Sequence, residues 1–271
     1  MIDQLVARMR RGVKRGSPLP ADHFISFAGD YASWEDARRD AIGYDAGVIL
    51  DRTRAALLQV KRGTAVYERD AVIFDRPQYP FPVITGLLRA SLTAGTRLRV
   101  LDFGGSLGST YFQCRPLLRS VAEVEWSVVE QPAHVACGRE HFADAELRFY
   151  STVDECFSER RPDTLLLSSV LQYLPDPYQT LAALLARGWH HLILDRTSFL
   201  AADRDRLTVQ RVPEWIYPAS YPAWFLSESK LTALIDAAGY TLLTDFAAID
   251  QCGPADERGY YKGFIYERRK R

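Results

Sequence analysis

Residues 100–111 read Val100-Leu101-Asp102-Phe103-Gly104-Gly105-Ser106-Leu107-Gly108-Ser109-Thr110-Tyr111. The apolar run RLRVLDF at 97–103 has the length and composition of a buried strand. It breaks at a glycine pair, meets a third glycine and passes into a segment of helical length. Glycine lets the backbone turn tightly and approach a ligand with no Cβ in the way. A helix that starts just beyond offers free N–H groups to an anion. A nicotinamide-type G-x-G-x-x-G fingerprint needs glycine at position 103, where phenylalanine stands, and no G-K-[ST] follows to make a phosphate-binding P-loop. What remains is an acid at a strand end, Asp102, directly ahead of Gly104, Gly105 and Gly108.

The pattern repeats downstream. VEWSVVE at 124–130, ELRFY at 146–150, TLLLSSV at 164–170 and HLILD at 191–195 are strand-length runs. Segments near 109–120, 133–143 and 178–187 have helical length. The run at 164–170 is almost continuously apolar, as expected for a strand covered on both faces. Strand–helix alternation implies right-handed crossovers and a parallel sheet. The tail departs from it. A helix at 227–238 ends at Gly239, YTLLTDF at 240–246 is a strand, and YYKGFIYER at 260–268 follows with no helix between, so these two pair antiparallel at one edge. The sequence thus predicts an α/β, Rossmann-like fold, mostly parallel with a terminal antiparallel pair. Residues 96–271 carry it, with an aromatic insertion at 201–226. Residues 1–95 read as a helical and irregular region that covers the active site. Within it, Ser33 stands ahead of Glu35 and Asp36 as a helix start, Gly63 is a stop, and prolines 77, 80 and 82 keep the preceding aromatic stretch out of regular helix.

Composition narrows the function. The chain has 271 residues, with 34 basic and 34 acidic side chains and no net charge. Zero charge argues against non-specific nucleic-acid binding, which needs a basic footprint. Cys114, Cys137, Cys156 and Cys252 form no C-x-x-C pair, and His23, His134, His141, His190 and His191 show no ligand spacing, so no metal site is expected. Unpaired cysteines and the lack of a secretory core at the N-terminus point to a cytoplasmic protein with reduced thiols. No apolar run reaches the length of a transmembrane helix. Residues 1–16 place Ile2, Leu5, Val6, Met9 and Val13 at helical spacing among arginines, which reads as a short solvated helix or a weak membrane-surface or partner contact. Nothing signals an oligomeric state.

Glu130 closes the second strand of the alternating region, just before Pro132. In doubly wound sheets a carboxylate there accepts both hydroxyls of a ribose, and ligands bind at the carboxyl ends of the strands. With the Asp102–Gly108 loop, this resembles the class I S-adenosylmethionine-dependent methyltransferases. LDFGGSLG is similar to their first motif, Glu130 to their ribose acid, and SSVLQYLPDPY at 168–178 to the segment after their fourth strand. FAGDYASWEDA at 27–37, GYDAGVIL at 43–50, VYERDAVIF at 66–74, LDRTSF at 194–199 and YPAWFL at 221–226 resemble a narrower bacterial family of methyltransferase-like proteins encoded near polysaccharide-biosynthesis genes.

The resemblance implies S-adenosylmethionine as cofactor; the leading reading is O-methylation of a small-molecule or glycan acceptor, a saccharide or a polysaccharide-linked intermediate. It implies that Gly104, Gly105 and Gly108 line the methionine moiety and that Asp102 neutralises its ammonium. Glu130 would hold the ribose beside Gln131, with Ser151 and Thr152 bordering the adenine. Ser168, Ser169 and Val170 would lie beneath the methyl donor. Relatives often carry an acid where Ser151 stands, so the adenine contact departs from the pattern.

Asp195, at the end of LILD, is the expected general base for a hydroxyl acceptor. Arg196 beside it could bind an acidic sugar or phosphate through its planar fork. The competing reading makes Asp195 a turn cap with Arg196 paired to it. Glu68, Arg69 and Asp70 form a second candidate group. Trp215, Tyr217, Tyr221, Trp224 and Phe225, on a proline-rich and apparently irregular insertion, suit a sugar or ring-bearing acceptor. Two rival functions are a nicotinamide-dependent sugar dehydrogenase or epimerase, and a non-catalytic cofactor-binding subunit.

Overall fold

The computed structural model describes residues 24–41, 46–250 and 252–270. The basic segment 1–16 and His23 lie outside them.

At the centre is a sheet of seven strands. Its parallel part comprises β4 (Arg97–Phe103), β5 (Glu123–Val129), β6 (Leu147–Tyr150), β7 (Thr164–Ser168) and β8 (His191–Leu200). Beside β8 lies β12 (Gly259–Arg268), antiparallel to it, and β11 (Tyr240–Ala247) pairs antiparallel with β12 at the edge. The order is β11-β12-β8-β7-β4-β5-β6. The last strand is therefore inserted between its predecessor and the parallel set, and it alone runs against the others. This is the Rossmann-like layout, mostly parallel with a terminal antiparallel pair, expected from the sequence.

Helices cover both faces, as the period-2 pattern of the strands demands. Val100, Trp126, Val128, Leu166 and Ile193 point to one face. They meet α2 (Ala46–Lys61), α3 (Phe81–Thr93), α4 (Ser109–Cys114) and α5 (Pro132–His141) through Leu57, Val83, Leu87, Tyr111 and Val135. Leu101, Leu165, Leu167, Leu192 and Leu194 point to the other face. There they meet α6 (Val153–Glu159), α7 (Pro177–Leu185) and α8 (Glu228–Ala237) through Cys156, Leu181, Leu184, Leu231 and Ile235. The sequence reading omitted α6, which Thr152 caps by accepting the Glu155 N–H.

The 201–226 insertion is not irregular. β9 (Arg206–Val212) and β10 (Ala219–Phe225) form an antiparallel pair, and β1 (Ser26–Ala28) joins the other side of β9. α1 (Trp34–Asp40), capped by Ser33 as expected, packs Ala37 on Leu207 and Val209. Likewise, 67–74 is a hairpin of β2 (Tyr67–Arg69) and β3 (Val72–Phe74), turning at Asp70 and Ala71 with φ of 51° and 64°. Two consecutive positive φ values are what a two-residue hairpin turn requires. Neither residue is glycine, so no turn signal was legible there. Both additions sit over the carboxyl ends of the parallel strands.

Candidate active site

Three adjoining cavities open at those strand ends, of about 770, 340 and 430 Å³. Asp70, Ser169 and Tyr217 line all three, so they meet at one junction.

The largest holds most of the residues assigned to a cofactor: Gly104, Glu130, Gln131, Ser151, Ser169 and Val170. Glu130 is half-buried, and its Oε2 accepts the Gln131 N–H at 2.6 Å. Gly104 turns the loop with φ of 71°, and a Cβ there would stand 2.3 Å from Val170 Cγ2. Gly105 also needs its bareness, because a Cβ would reach 2.5 Å from the Asp102 carboxyl carbon.

That contact displaces one expectation. Asp102 is sealed beneath the loop at 1% exposure and accepts the Trp126 indole N–H at 3.0 Å. Burial pushes its carboxyl up to about 7. It supports the loop from below and lines none of the three cavities. Gly108 is buried as well: it starts α4 at φ 91° and faces Leu147. Thr152 is occupied as the helix cap.

The 340 Å³ cavity adjoins the glycine loop and holds Glu68, Asp70, Ser168, Asp195 and Arg196. Glu68 comes from the β2–β3 hairpin and lies almost wholly buried. It accepts the Ser109 hydroxyl at 2.6 Å and the Ala71 N–H at 2.8 Å. Desolvation raises its carboxyl to about 7. The second candidate group is thus brought to the same end of the sheet as the glycine loop.

Asp195 and Arg196 stand at a β-bulge. Lys262 pairs with Thr197 and Phe264 with Leu194, leaving both residues opposite Gly263. Arg196 takes φ of 53° to make it. Bulges re-aim side chains, and they cluster near active sites. Here the strand continues beyond Asp195 to Leu200 instead of ending as the sequence suggested. Asp195 is buried, accepts the Ser168 hydroxyl at 3.2 Å, and is raised above the ordinary carboxylate range by desolvation. Arg196 pairs with other acids. Its Nε meets Asp250 Oδ2 at 2.7 Å and its Nη2 meets Asp70 Oδ2 at 2.8 Å. Burial works against ionisation of Asp250, yet Arg196 outweighs it and holds that carboxyl below its usual range. The expected anion-binding fork is therefore already filled by carboxylates.

Sequence reading gave no role to Asp250, Gln210 or Ser109. Asp250 sits in the loop after β11 and carries no local motif. Gln172 was noted only as following the fourth strand. It is buried and donates to the Arg196 carbonyl at 2.9 Å and the Ser169 hydroxyl at 3.2 Å, fixing the bulge and the junction together. Among the described residues no cluster of His, Cys, Asp and Glu could hold a metal ion, and no helix is long and apolar enough to cross a membrane.

No family model matches the chain, and no curated protein matches it. Several solved structures are similar in fold. The N-terminal domain of EvdMO1, crystallised in the presence of SAH and D-fucose, is 15% identical with a TM-score of 0.48, covering 84% of this chain and 97% of that one. A Burkholderia thailandensis 1,6-didemethyltoxoflavin-N1-methyltransferase is 16% identical at 0.46, covering 94% and 99%. Human N-acetylserotonin methyltransferase in complex with SAM is 16% identical at 0.45, covering 69% and 52%. Likenesses this remote leave the reading of the site to its own residues.

Proposed function

We propose that this chain is an S-adenosylmethionine-dependent methyltransferase that methylates a hydroxyl of a saccharide or polysaccharide-linked acceptor, with β1, α1 and the β2–β3 hairpin, among the elements before Gly95, serving as cover for the site. The observation that carries it is the pairing of a bare loop at the end of β4 with Glu130 at the end of β5, both facing the 770 Å³ cleft.

The residues present suit the cofactor. Glu130 offers carboxylate oxygens to a ribose diol, and Gln131 and Ser151 border the adenine side. Gly104 and Ser106 leave main chain exposed for the methionine end. Glu68 and Asp70 also line that end of the cavities, so they replace Asp102 as candidates to face the ammonium. When bound, the cofactor supplies an electrophilic methyl group on a positively charged sulfur.

The chain's own residues do the rest. Alignment of acceptor oxygen with the methyl carbon supplies much of the rate in such a displacement. The junction at Asp70, Ser169 and Tyr217 is where the acceptor would be aligned. Asp195, kept proton-avid by burial and oriented by Ser168, accepts the hydroxyl proton. Arg196, held by Asp70 and Asp250, fixes the bulge that aims it.

Isothermal titration with S-adenosylhomocysteine tests the reading. Binding is expected, and Glu130→Ala should weaken it by roughly 30- to 150-fold, the loss of a charged hydrogen-bond pair of about 2–3 kcal/mol. No heat with the native chain, or equal affinity in the variant, would defeat it.

A further inference from the structure

The 430 Å³ cavity lies beyond the junction, between the small β1-β9-β10 sheet, the β2–β3 hairpin and the bulge of β8. We infer that this cavity is the acceptor site and that it takes an uncharged, hydroxyl-bearing ring, an inference that rests on the methyltransferase reading.

Its walls are aromatic. Phe27, Phe74, Tyr173, Tyr221 and Tyr261 line it, with Gln210 at their centre. Tyr173 and Tyr221 meet edge to face with ring centroids 5.5 Å apart. The Tyr173 hydroxyl donates to Gln210 Oε1 at 3.0 Å, and Gln210 Nε2 donates to the Tyr221 oxygen at 3.2 Å. Aromatic faces with a hydrogen-bonded polar chain between them match a ring whose faces are apolar and whose rim is polar.

The charge of the cavity sets the class more sharply. Its ionisable lining comprises Arg69 and Arg196 against Asp70 and Asp250. Two positive groups therefore face two negative ones. Arg196 gives Nε and Nη2 to Asp250 and Nη2 also to Asp70. Asp250 and Arg196 are both shielded, with side-chain exposures of 11% and 16%. A carboxylated or phosphorylated acceptor would have to displace a buried carboxylate from Arg196, and like charges brought together there are penalised. A neutral ring leaves the arrangement intact. Because Asp70, Ser169 and Tyr217 border this cavity and the cofactor cleft alike, such a ring can present a hydroxyl at the junction.

The test uses the full chain and matched aryl pyranosides: the neutral 4-nitrophenyl glucoside, galactoside and xyloside, and the corresponding glucuronide and galacturonide. Saturation-transfer NMR and titration are run with and without S-adenosylhomocysteine, whose own binding is measured first. At least one neutral member should bind, its uronate should bind about tenfold more weakly or worse, and Tyr221→Ala should abolish the neutral signal. Asp250→Asn, which frees one face of Arg196, should narrow or reverse that preference. The inference is overturned by a uronate that binds the native chain as well as its neutral partner, by neutral binding indifferent to Tyr221→Ala, or by no neutral binding at all while the cofactor product binds. Neutral rings that bind a chain deaf to the cofactor product would instead remove the methyltransferase reading and leave a ring-binding pocket.

Discussion

The carboxyl end of the large sheet and the cover above it treat charge in opposite ways. At the sheet end the acids are buried against neutral donors, Asp102 on Trp126 and Asp195 on Ser168, and Glu68 of the hairpin meets Ser109 of α4 in the same way. In the cover, acids meet arginines: Asp70 and Asp250 hold Arg196 of β8 from above, Asp256 and Glu257 pair with Arg206, and Asp30 and Glu257 with Arg204. A carboxyl buried beside a neutral donor is pushed toward neutrality and can exchange a proton near neutral pH. A carboxyl buried beside a guanidinium stays charged and acts as fixed scaffolding. The first arrangement suits chemistry, and the second suits shape and selectivity.

Four substitutions probe that contrast. The largest effect is expected from Asp195→Asn, which removes the proton acceptor and leaves its size. Turnover should fall about 10²-fold or more, with affinity for the cofactor product unchanged. Native activity should also decline on acidification through the raised Asp195 range, earlier than an exposed aspartate would dictate. Equal turnover in the variant would move the base elsewhere.

Glu68 tests the same region through stability. Its folded carboxyl lies near 7, above its ordinary value of 4.5. The stabilising contribution of a raised carboxyl is complete below its unfolded value and is lost as pH climbs through the folded one. Native stability should therefore fall between about pH 4.5 and 7, by up to about 3 kcal/mol from this group. Glu68→Gln should flatten that slope in urea titrations run at several pH values. An unchanged slope would show that Glu68 is ionised throughout.

Gly263 faces the bulge that joins the two regions. A Cβ there would meet Phe246 at 2.2 Å and the Leu194 carbonyl at 2.7 Å. Gly263→Ala should cost about 2 kcal/mol in thermal unfolding and lower activity beyond that, by re-aiming Asp195. A variant of native stability and activity would show that the bulge has slack.

The smallest effect concerns the hairpin that delivers Asp70. Ala71 holds φ of 64°, which strains a non-glycine residue. Ala71→Gly should relieve it, raising stability by at most about 1 kcal/mol after the entropy of the freer unfolded chain is counted. A loss of activity larger than that would mean the strained turn is needed to hold Asp70 at the junction.

How much was legible follows from the range of each signal. The run 97–103 was read to the residue as β4, and the four other parallel strands were found, because apolar runs bounded by turns are local features. The glycine loop and Glu130 were legible for the same reason, and Gly104 and Glu130 line the 770 Å³ cavity. The β9–β10 pair was hidden because Pro213, Pro218 and Pro222 weakened the strand pattern, and Pro222 is accommodated within β10 all the same. Asp102 was placed at the right strand end, yet the sequence could not show that its side chain turns under Gly105.

By itself the sequence determined a doubly covered sheet with an open main-chain loop and an acid one crossover later. Those depend on neighbours along the chain, where steric and hydrophobic preferences act directly. Tertiary structure alone decided which acids stand beside cations and which stand beside neutral donors. Arg196 finds Asp70 across 126 positions and Asp250 across 54. A charged side chain's partner, and with it its protonation, is set by what the fold brings near in a low-dielectric space, and no local pattern encodes that distance.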